Sequence, residues 1–293
     1  MLNLAVASPL KTTPVALTHR CRALGIARAT LYRRRHRPAP ADGDMELREV
    51  IQRLAVEDSS GGYRRITREL ARRGVVANHK RVLRLMREDN LLCLRKRRFV
   101  VTTDSDHNLP IYPNLAHGLV PSRPDELWVA DITYIRLVRE FIYLAVILDA
   151  WSRRVIGWSL GRTLEDDLTL AALRRALATR RVTEGLIHHS DRGVQYASTE
   201  YTKMLKDHKI RISMSRRANP YDNAKAESFI KTLKYEQVYL DEYETFEQAR
   251  ARIGHFLEEV YNKKRLHSAL GYRPPVEFEQ HFAQTALTAV SAT

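Results

Sequence analysis

Three apolar, β-rich segments follow one another between residues 127 and 160, and this run constrains the fold more than any other feature. They cover residues 127–137, 141–148 and 155–160, with loops of only a few residues between them. Adjacent strands joined by short loops predict an antiparallel meander. Downstream, the patterns predict a helix over 164–181, a strand over 185–189, a helix over 198–207, a strand over 210–213 and a helix over 222–237. This order predicts an α/β domain built on a mixed five-stranded sheet flanked by helices.

Positive charge is concentrated ahead of this domain. The chain has 49 lysines and arginines against 34 acidic residues, a formal net charge of +15. The first 100 residues hold 23 of the basic residues and 9 of the acidic ones, whereas the other 193 residues are nearly neutral. A basic arm on a balanced body predicts a polyanionic partner, either nucleic acid or an acidic membrane surface.

Several classes of protein are excluded by the composition. Cys21 and Cys93 are the two cysteines and no Cys-x-x-Cys occurs, which argues against a disulfide framework or a zinc knuckle. The longest apolar run, over residues 141–148, is too short to cross a bilayer. Residues 1–10 lack the basic flank of a signal peptide. No membrane association and a cytoplasmic location are therefore expected.

Two small all-α modules are predicted within the basic arm. In the first, a helical pattern ends at Gly25 and a second basic helix runs over 27–35, which is typical of a helix-turn-helix motif. Ala27 stands where a Ser or Thr cap is preferred. In the second module Gly74 separates two apolar stripes, and Asn78 is a good N-cap for the later helix. The alternative for both modules is that the charges only solvate a helix face.

The domain organisation follows from these patterns. The predicted parts are a helix-turn-helix over 1–38, a similar module over 45–94, a proline-rich linker over 95–124, the α/β domain over 125–237 and a C-terminal helical extension over 238–293. A basic arm followed by a balanced α/β domain indicates separate tasks for the two regions.

Three carboxylates in the α/β domain are candidates for catalysis. Asp131 lies in the middle of an apolar strand, where aspartate is disfavoured. Asp191 comes just after the fourth strand, and Glu227 lies on the predicted 222–237 helix. If they converge, two hard divalent cations would offset their repulsion and support displacement at phosphorus. For any one of them, a surface ion pair is the alternative.

The motifs around these carboxylates carry a family resemblance. They are Trp-Val-Ala-Asp-Ile-Thr-Tyr at 128–134, His-Ser-Asp-Arg-Gly-Val-Gln-Tyr at 189–196 and Asn-Pro-Tyr-Asp-Asn-Ala-Lys-Ala-Glu-Ser-Phe at 219–229, with 35 residues between Asp191 and Glu227. Together they resemble the DDE transposases of the insertion-sequence-three family, of the OrfB type. The resemblance is strong over 125–237 and extends to motifs at 62–66, 78–82, 261–262 and 265–272.

The resemblance implies a ribonuclease-H-like integrase core and a specific chemistry. It implies that Asp131, Asp191 and Glu227 bind two Mg²⁺ ions, with Mn²⁺ as a substitute, and that Lys234 contacts DNA near the reacting end. Water would free a 3′ hydroxyl at an element end, and that hydroxyl would attack a second phosphodiester. The implied partners are the terminal inverted repeats, target DNA, further copies of the chain and a first-frame DNA-binding protein fused by frameshifting. The implied location is the nucleoid.

Other residues are weaker candidates. Asn219, Pro220, Asp222 and Asn223 are expected to form the turn and N-cap that aim Glu227. Trp128, Trp151 and Trp158 are expected to be core or rim residues. The candidate DNA contacts besides Lys234 are Lys231, Arg192, Arg28, Arg33, Arg34, Lys80, Arg81 and Arg84. For Arg192, holding the loop in shape is an equally good interpretation.

Two competing functions are left open by the sequence. A DNA-binding regulator with a degenerate core would bind a specific site without nicking it. A ribonuclease-H-type hydrolase would cut RNA–DNA hybrids, although paired basic helical modules suit duplex DNA better. In each case where DNA is bound, the affinity should fall steeply with salt, because neutralised phosphates release counterions.

Overall fold

The structure is a computed structural model that describes residues 25, 27, 29, 42–58, 60–91, 110–216 and 223–291. It divides into two compact units, Met1–Arg53 and Leu54–Thr293. The predicted helix-turn-helix over 1–38, with Arg28, Arg33 and Arg34, lies outside the described residues apart from three isolated positions. Residues 95–109 of the predicted linker also lie outside them.

Three helices precede the α/β domain. They are α1 (Asp42–Glu57), α2 (Tyr63–Arg72) and α3 (His79–Glu88). The first begins at Asp42, three residues before the predicted start of the second module at residue 45. The apolar stripes of α2 and α3 are buried, and the Asn78 side chain accepts a hydrogen bond from the Lys80 N–H at 2.8 Å. The predicted N-cap is therefore confirmed.

A mixed five-stranded sheet forms the centre of the second unit. Its strands are β1 (Leu127–Arg136), β2 (Phe141–Asp149), β3 (Val155–Gly161), β4 (Ile187–Ser190) and β5 (Arg211–Met214). The strand order is β3-β2-β1-β4-β5. The first three strands pair antiparallel, whereas β4 pairs parallel with both β1 and β5. The predicted meander and mixed sheet are confirmed, with strand ends shifted by one or two residues.

Helices cover both faces of the sheet. On one face pack α4 (Asp166–Thr179), α5 (Val194–Ala197) and α6 (Thr199–Asp207), in a core that includes Trp128. On the other face pack α7 (Ala224–Leu233) and α8 (Phe246–His255). Gly157 on β3 lets α4 approach closely, because a Cβ there would overlap the carbonyl oxygen of Ala172. The sheet is thus buried on both faces.

The C-terminal part of the chain is largely helical, as predicted, but its details differ. The predicted 222–237 helix is α-helical only over Ala224–Leu233, and a π-helical turn, Lys234–Val238, follows it. A second π-helical turn, Phe256–Tyr261, extends α8, and a 3₁₀ turn, Ser268–Leu270, leads to α9 (Pro275–Ser291). No helix among the described residues is long and apolar enough to span a membrane.

Candidate active site

Strand pairing brings Asp131 and Asp191 together. In the parallel pair of β1 and β4, Leu127 lies opposite Ile187 and Val129 lies opposite His189. Continuing that register by two residues places Asp131 beside Asp191, which comes directly after β4. Adjacent strands in a sheet are about 4.8 Å apart, so the two carboxylates share one local environment. Two residues that are 60 positions apart in sequence become neighbours through the fold.

The environment of Asp131 favours a protonated carboxyl group. Its pKa is raised to about 8, first by burial, then by the negative charge of Asp191 and, less strongly, by that of Glu227. A hydrogen bond from the Ile132 N–H, 2.8 Å from Oδ1, and the charge of Lys234 act in the opposite direction. A side chain that would be ionised in water therefore keeps its proton near neutral pH unless more positive charge arrives.

Helix α7 places Glu227 near this pair. Side chains alternate along β1, so Asp131 is on the same face as Leu127 and Val129, and this is the face that α7 covers. The apolar residues Ala226, Phe229 and Leu233 bury one side of α7, which leaves Glu227 exposed along its edge. Partial burial raises the pKa of Glu227.

The start of α7 is attached to β1 through Asn223. Its side-chain Nδ2 donates a hydrogen bond to the carbonyl oxygen of Ala130 at 3.0 Å, and its Oδ1 is buried without a hydrogen-bond partner in the described part of the chain. Asn223 occupies the N-cap position but makes no side-chain cap hydrogen bond. The predicted N-cap position of Asn223 is therefore confirmed, but its side chain does not cap the helix and its amide nitrogen bonds across to the sheet instead. Asn219, Pro220 and Asp222 lie outside the described residues.

The two lysines that follow Glu227 have different surroundings. The Lys234 ammonium lies 4.5 Å from the centre of the Tyr134 ring, and its charge lowers the pKa of Asp131. Burial lowers the pKa of Lys234 itself, and the charge of Asp131 opposes that shift. Lys231, one turn earlier, is exposed. Of the two lysines, Lys234 is therefore the one whose charge acts on the carboxylates.

The segment after Asp191 is a folded turn with a short helix, α5, which the sequence patterns do not predict. The Asp191 Oδ1 accepts the Gly193 N–H at 2.9 Å, and the Arg192 Nε donates to the carbonyl oxygen of Ser215 at 2.7 Å. The Tyr196 side chain is buried, and burial raises its pKa well above the usual value. Arg192 therefore holds the loop in shape, the second of the two interpretations that its position allows.

Two buried histidines support this part of the site and were not among the predicted residues. His189 contacts the hydroxyls of Ser213 at 2.8 Å and Ser215 at 3.0 Å, which joins β4 to β5 just before Asp191. His188 contacts the Tyr201 hydroxyl at 2.9 Å, and burial lowers its pKa to about 3. His188 is therefore neutral and has a structural role. In the sequence, the two adjacent histidines within a buried strand are the signal that could have identified this pair.

The predicted DNA contacts on the earlier module lie on α3. Lys80 is exposed, and Arg81 is half-buried. Arg84 forms an ion pair with Glu88 one turn later on the same helix, at 3.2 Å. The exposed face of α3 is therefore basic, but part of its charge is neutralised within the helix.

The carboxylates converge without forming a closed ligand cluster. Asp131 and Asp191 are adjacent, and the charge of Glu227 reaches Asp131. Within the described ranges, however, no three His, Cys, Asp or Glu side chains are arranged to hold a metal ion together. The three carboxylates have the oxygen donors that Mg²⁺ prefers. The donor set and its location fit a divalent ion, provided that Glu227 moves towards the pair.

Comparison with known proteins agrees with this geometry. The integrase core domain family matches residues 121–220 and 208–275, and an HTH-like domain family matches residues 42–99. The transposase InsF for insertion sequence IS3A of Escherichia coli is 35% identical over 88% of this chain and 92% of the relative. The chain belongs to the insertion-sequence-three family of transposases.

Two further similarities come from a relative and a solved structure. The 31 kDa protein of insertion element IS600 from Shigella sonnei is 36% identical over 91% of this transposase and 99% of the relative. A chain of the simian T-cell lymphotropic virus intasome is 16% identical, with a TM-score of 0.45, and covers 78% of the transposase and 74% of that chain.

Several predictions are confirmed by the family and the fold together. The chain is a transposase with an integrase core, an enzyme that cleaves DNA and transfers strands. The HTH-like region ahead of the core agrees with DNA as its partner. The ribonuclease-H-like sheet is the one predicted.

Proposed function

We propose that Asp131, Asp191 and Glu227 are the catalytic residues of this transposase and bind two Mg²⁺ ions. The observation that carries the proposal is the parallel pairing of β1 with β4, which puts Asp131 beside Asp191. Burial, and after it the charge of Asp191, raises the pKa of Asp131 to about 8. Such a shift marks a site where a bound cation would be strongly favoured, because it would relieve like-charge repulsion.

The expectation that a divalent metal fits this site rests on the ligand atoms that the three residues provide. All three residues offer carboxylate oxygens, the ligands of Mg²⁺ and of Mn²⁺, which we expect to substitute. A pair of such ions activates an attacking oxygen and stabilises a leaving oxygen in displacement at phosphorus. Three carboxylates repel one another at short range, so binding of the ions would draw Glu227 onto the pair of aspartates. Asn223 fixes the start of α7 against β1 and so limits how far Glu227 must travel.

The surrounding cations are proposed to position DNA. Lys234 is the lysine whose charge acts on Asp131, and we assign it to bind the phosphate next to the reacting bond. Lys231, one turn away on the same helix, is the second proposed contact. Arg192 is a weaker candidate because its Nε is occupied by Ser215. The remaining proposed phosphate contacts are Arg28, Arg33, Arg34, Lys80, Arg81 and Arg84.

The substrates proposed are the terminal inverted repeats of the element and the target duplex. Each reaction releases a 3′ hydroxyl at an element end and joins it to a target phosphodiester. Joining two ends requires two active sites, so we propose that the chain works as a multimer. A first-frame DNA-binding protein, fused by frameshifting, is the proposed partner, and a basic protein of this kind is expected to associate with the nucleoid.

A cleavage assay on three substrates tests this function. The full chain is incubated with Mg²⁺, Mn²⁺ or EDTA and with duplex DNA from the flanks of its gene, a scrambled duplex of equal length, or an RNA–DNA hybrid. We expect metal-dependent nicking of the flanking duplex followed by joined products. Specific binding with no nicking would favour a regulator, and preferential cutting of the hybrid would favour a ribonuclease-H-type hydrolase; both outcomes contradict the proposal.

A further inference from the structure

A basic pocket of about 310 Å³ opens beside α7, on a different face from Glu227. Lys225, Ser228, Phe229 and Thr232 line it, at the i, i+3, i+4, i+7 spacing of one helix face. Glu227 is two residues from Lys225 and therefore about 200° around the helix. The pocket is thus separate from the carboxylate site, although one helix contributes to both.

The walls of the basic pocket carry five cations from four parts of the chain. Arg64 and Arg65 come from α2, Arg153 from the turn between β2 and β3, Lys225 from α7, and Arg265 from the segment after the second π-helical turn. Convergence of arginines from distant segments places many N–H donors around one space. Such donors match the oxygens of a phosphate in geometry and charge.

Three acidic side chains neutralise part of this charge. Glu236 pairs with Arg265 at 2.6 Å and with Arg65 at 3.2 Å, and Asp58 lies 3.7 Å from Arg65. Asp149 lines the pocket, but it is buried, and its oxygens accept the N–H groups of Asp125, Trp151 and Ser152. Its charge is therefore shared with backbone donors.

The other cations of the pocket keep a surplus of positive charge. Arg153 and Lys225 have no salt-bridge partner among the residues that the structure describes, and Arg64 contacts the Tyr63 hydroxyl. Five cations thus stand against three carboxylates, and of these three only Asp149 lines the pocket.

The buried His267 adds no charge to the pocket. It is one of the lining residues, and its pKa is lowered to about 3 by burial and then by the charges of Arg265, Arg153 and Arg65. An anion that entered the pocket would therefore meet the net positive charge of the five cations.

We propose that the basic pocket binds a phosphate of duplex DNA and so forms a DNA contact separate from the carboxylate site. The inference rests on the proposed function only in taking DNA as the substrate. Ser228 and Ser268 also line the pocket and carry hydroxyls that can donate to the same phosphate, whereas the Thr232 hydroxyl donates to the carbonyl oxygen of Ser228. A strand held there would bridge α2, α7 and the C-terminal segment, and would cross the helix that carries Glu227.

Salt-dependent binding of the full chain tests the pocket. Duplex affinity is measured by fluorescence anisotropy in EDTA at several salt concentrations, for the wild type, for Arg153→Gln with Lys225→Gln, and for Arg174→Gln with Lys203→Gln. The control pair removes the same charge from exposed sites. The pocket variant should bind on the order of tenfold more weakly, and the slope of log K against log salt should fall by about 1 to 2.

Equal slopes for the pocket and control variants, with unchanged thermal unfolding, would overturn the proposal. EDTA removes cleavage from the experiment, so failure of the proposed catalysis would leave this comparison intact. A second arm repeats the measurement with a deoxynucleoside monophosphate. If only its binding, and not duplex binding, were lost in the pocket variant, the site would serve a free nucleotide and the proposal would be wrong.

A footprint on the wild-type chain avoids any effect of substitution on folding. Lysines are acetylated with and without duplex DNA, and modification is read by mass spectrometry. Lys225 should be protected at least threefold by DNA, whereas the exposed Lys203 should not. Equal modification of Lys225 in both samples, at DNA concentrations that saturate binding, would contradict the proposal.

Discussion

The Asn223 side chain donates a hydrogen bond to the carbonyl oxygen of Ala130 at 3.0 Å, across the boundary between α7 and the sheet. Ala130 immediately precedes Asp131, and Asn223 is four residues before Glu227. This hydrogen bond, together with the apolar packing of α7, therefore holds the strand that carries the first carboxylate against the helix that carries the third.

Replacing Asn223 tests the role of this hydrogen bond. Asn223→Ala should lower the free energy of unfolding by about 1–3 kcal/mol, because a buried carbonyl loses its donor. It should also reduce the strand-transfer rate more than DNA affinity, since Glu227 is positioned less well. Urea denaturation and single-turnover assays measure the two effects. The exposed Gln284→Ala is the control, and an equal loss of stability in both variants would argue against the role of Asn223.

The ion-pair group of Glu236, Arg65 and Arg265 should be important for stability. The three side chains are 14 to 17% exposed. Glu236→Gln would remove the carboxylate that pairs with Arg265 and would leave Arg65 with Asp58, 3.7 Å away. We expect a loss of about 2–4 kcal/mol, as for a largely buried pair. Glu49→Gln breaks an ion pair whose side chains are 63% and 72% exposed and should cost less than about 0.5 kcal/mol. Similar losses in urea denaturation for the two variants would contradict this expectation.

Acid should weaken the same group. Burial opposes ionisation of Glu236, but its hydrogen bond with Arg265 and the charges of both arginines hold its pKa below the usual 4.5. The stabilisation is therefore present above about pH 4.5 and is lost as the pH falls through the lower pKa of the folded state. The stability difference between wild type and Glu236→Gln should shrink on acidification, and a difference independent of pH would refute the linkage.

The raised pKa of Asp131 leads to a second prediction about pH, in which stability changes with pH in the opposite direction. Between the usual 3.8 and about 8, the unfolded chain releases a proton that the folded chain retains. In EDTA this group alone should therefore lower stability by up to about 1.4 kcal/mol for each unit of rising pH. Asp131→Asn lacks the effect, so its stability relative to wild type should increase from about pH 5 to about pH 8. A constant difference in urea denaturation would show that the pKa is not raised.

Lys234 should tune the ionisation of Asp131. Its positive charge lowers the pKa of Asp131, so Lys234→Gln should raise that pKa further and move the Mg²⁺-dependent rate profile to higher pH. Lys231→Gln removes a charge of the same helix from an exposed site and should leave the midpoint of the profile unchanged. Rates measured at saturating DNA separate this effect from weaker binding, and equal profiles for both variants would exclude the role.

Hydrophobic patterning was sufficient to predict the sheet and most helices. Strands β1, β2 and β3 are long and apolar, so their existence and their antiparallel pairing follow from sequence periodicity. The adjacency of Asp131 and Asp191 could be anticipated only from the family motifs, because it arises from the parallel pairing of β1 with β4. No local pattern encodes a contact between residues so far apart in the chain.

Local signals were misleading where tertiary contacts compete with them. Asn223 has the residue type and position of an N-cap, but its amide serves Ala130 instead. The sequence pattern over Asp222–Gln237 predicts a continuous α-helix, yet the chain changes to a π-helical turn at Lys234. The basic pocket could not be predicted from the sequence, because Arg64, Arg153 and Arg265 converge only in the folded chain.

The most direct test compares Asp131→Asn with wild type in cleavage and in binding on the same preparation. Both proteins are mixed with a duplex that ends in the element terminus, and nicking in Mg²⁺ is measured alongside the dissociation constant. The account predicts a loss of at least about 10³-fold in cleavage, with binding affected by less than about threefold. A variant that kept full Mg²⁺-dependent cleavage would show that phosphodiester chemistry does not depend on these carboxylates.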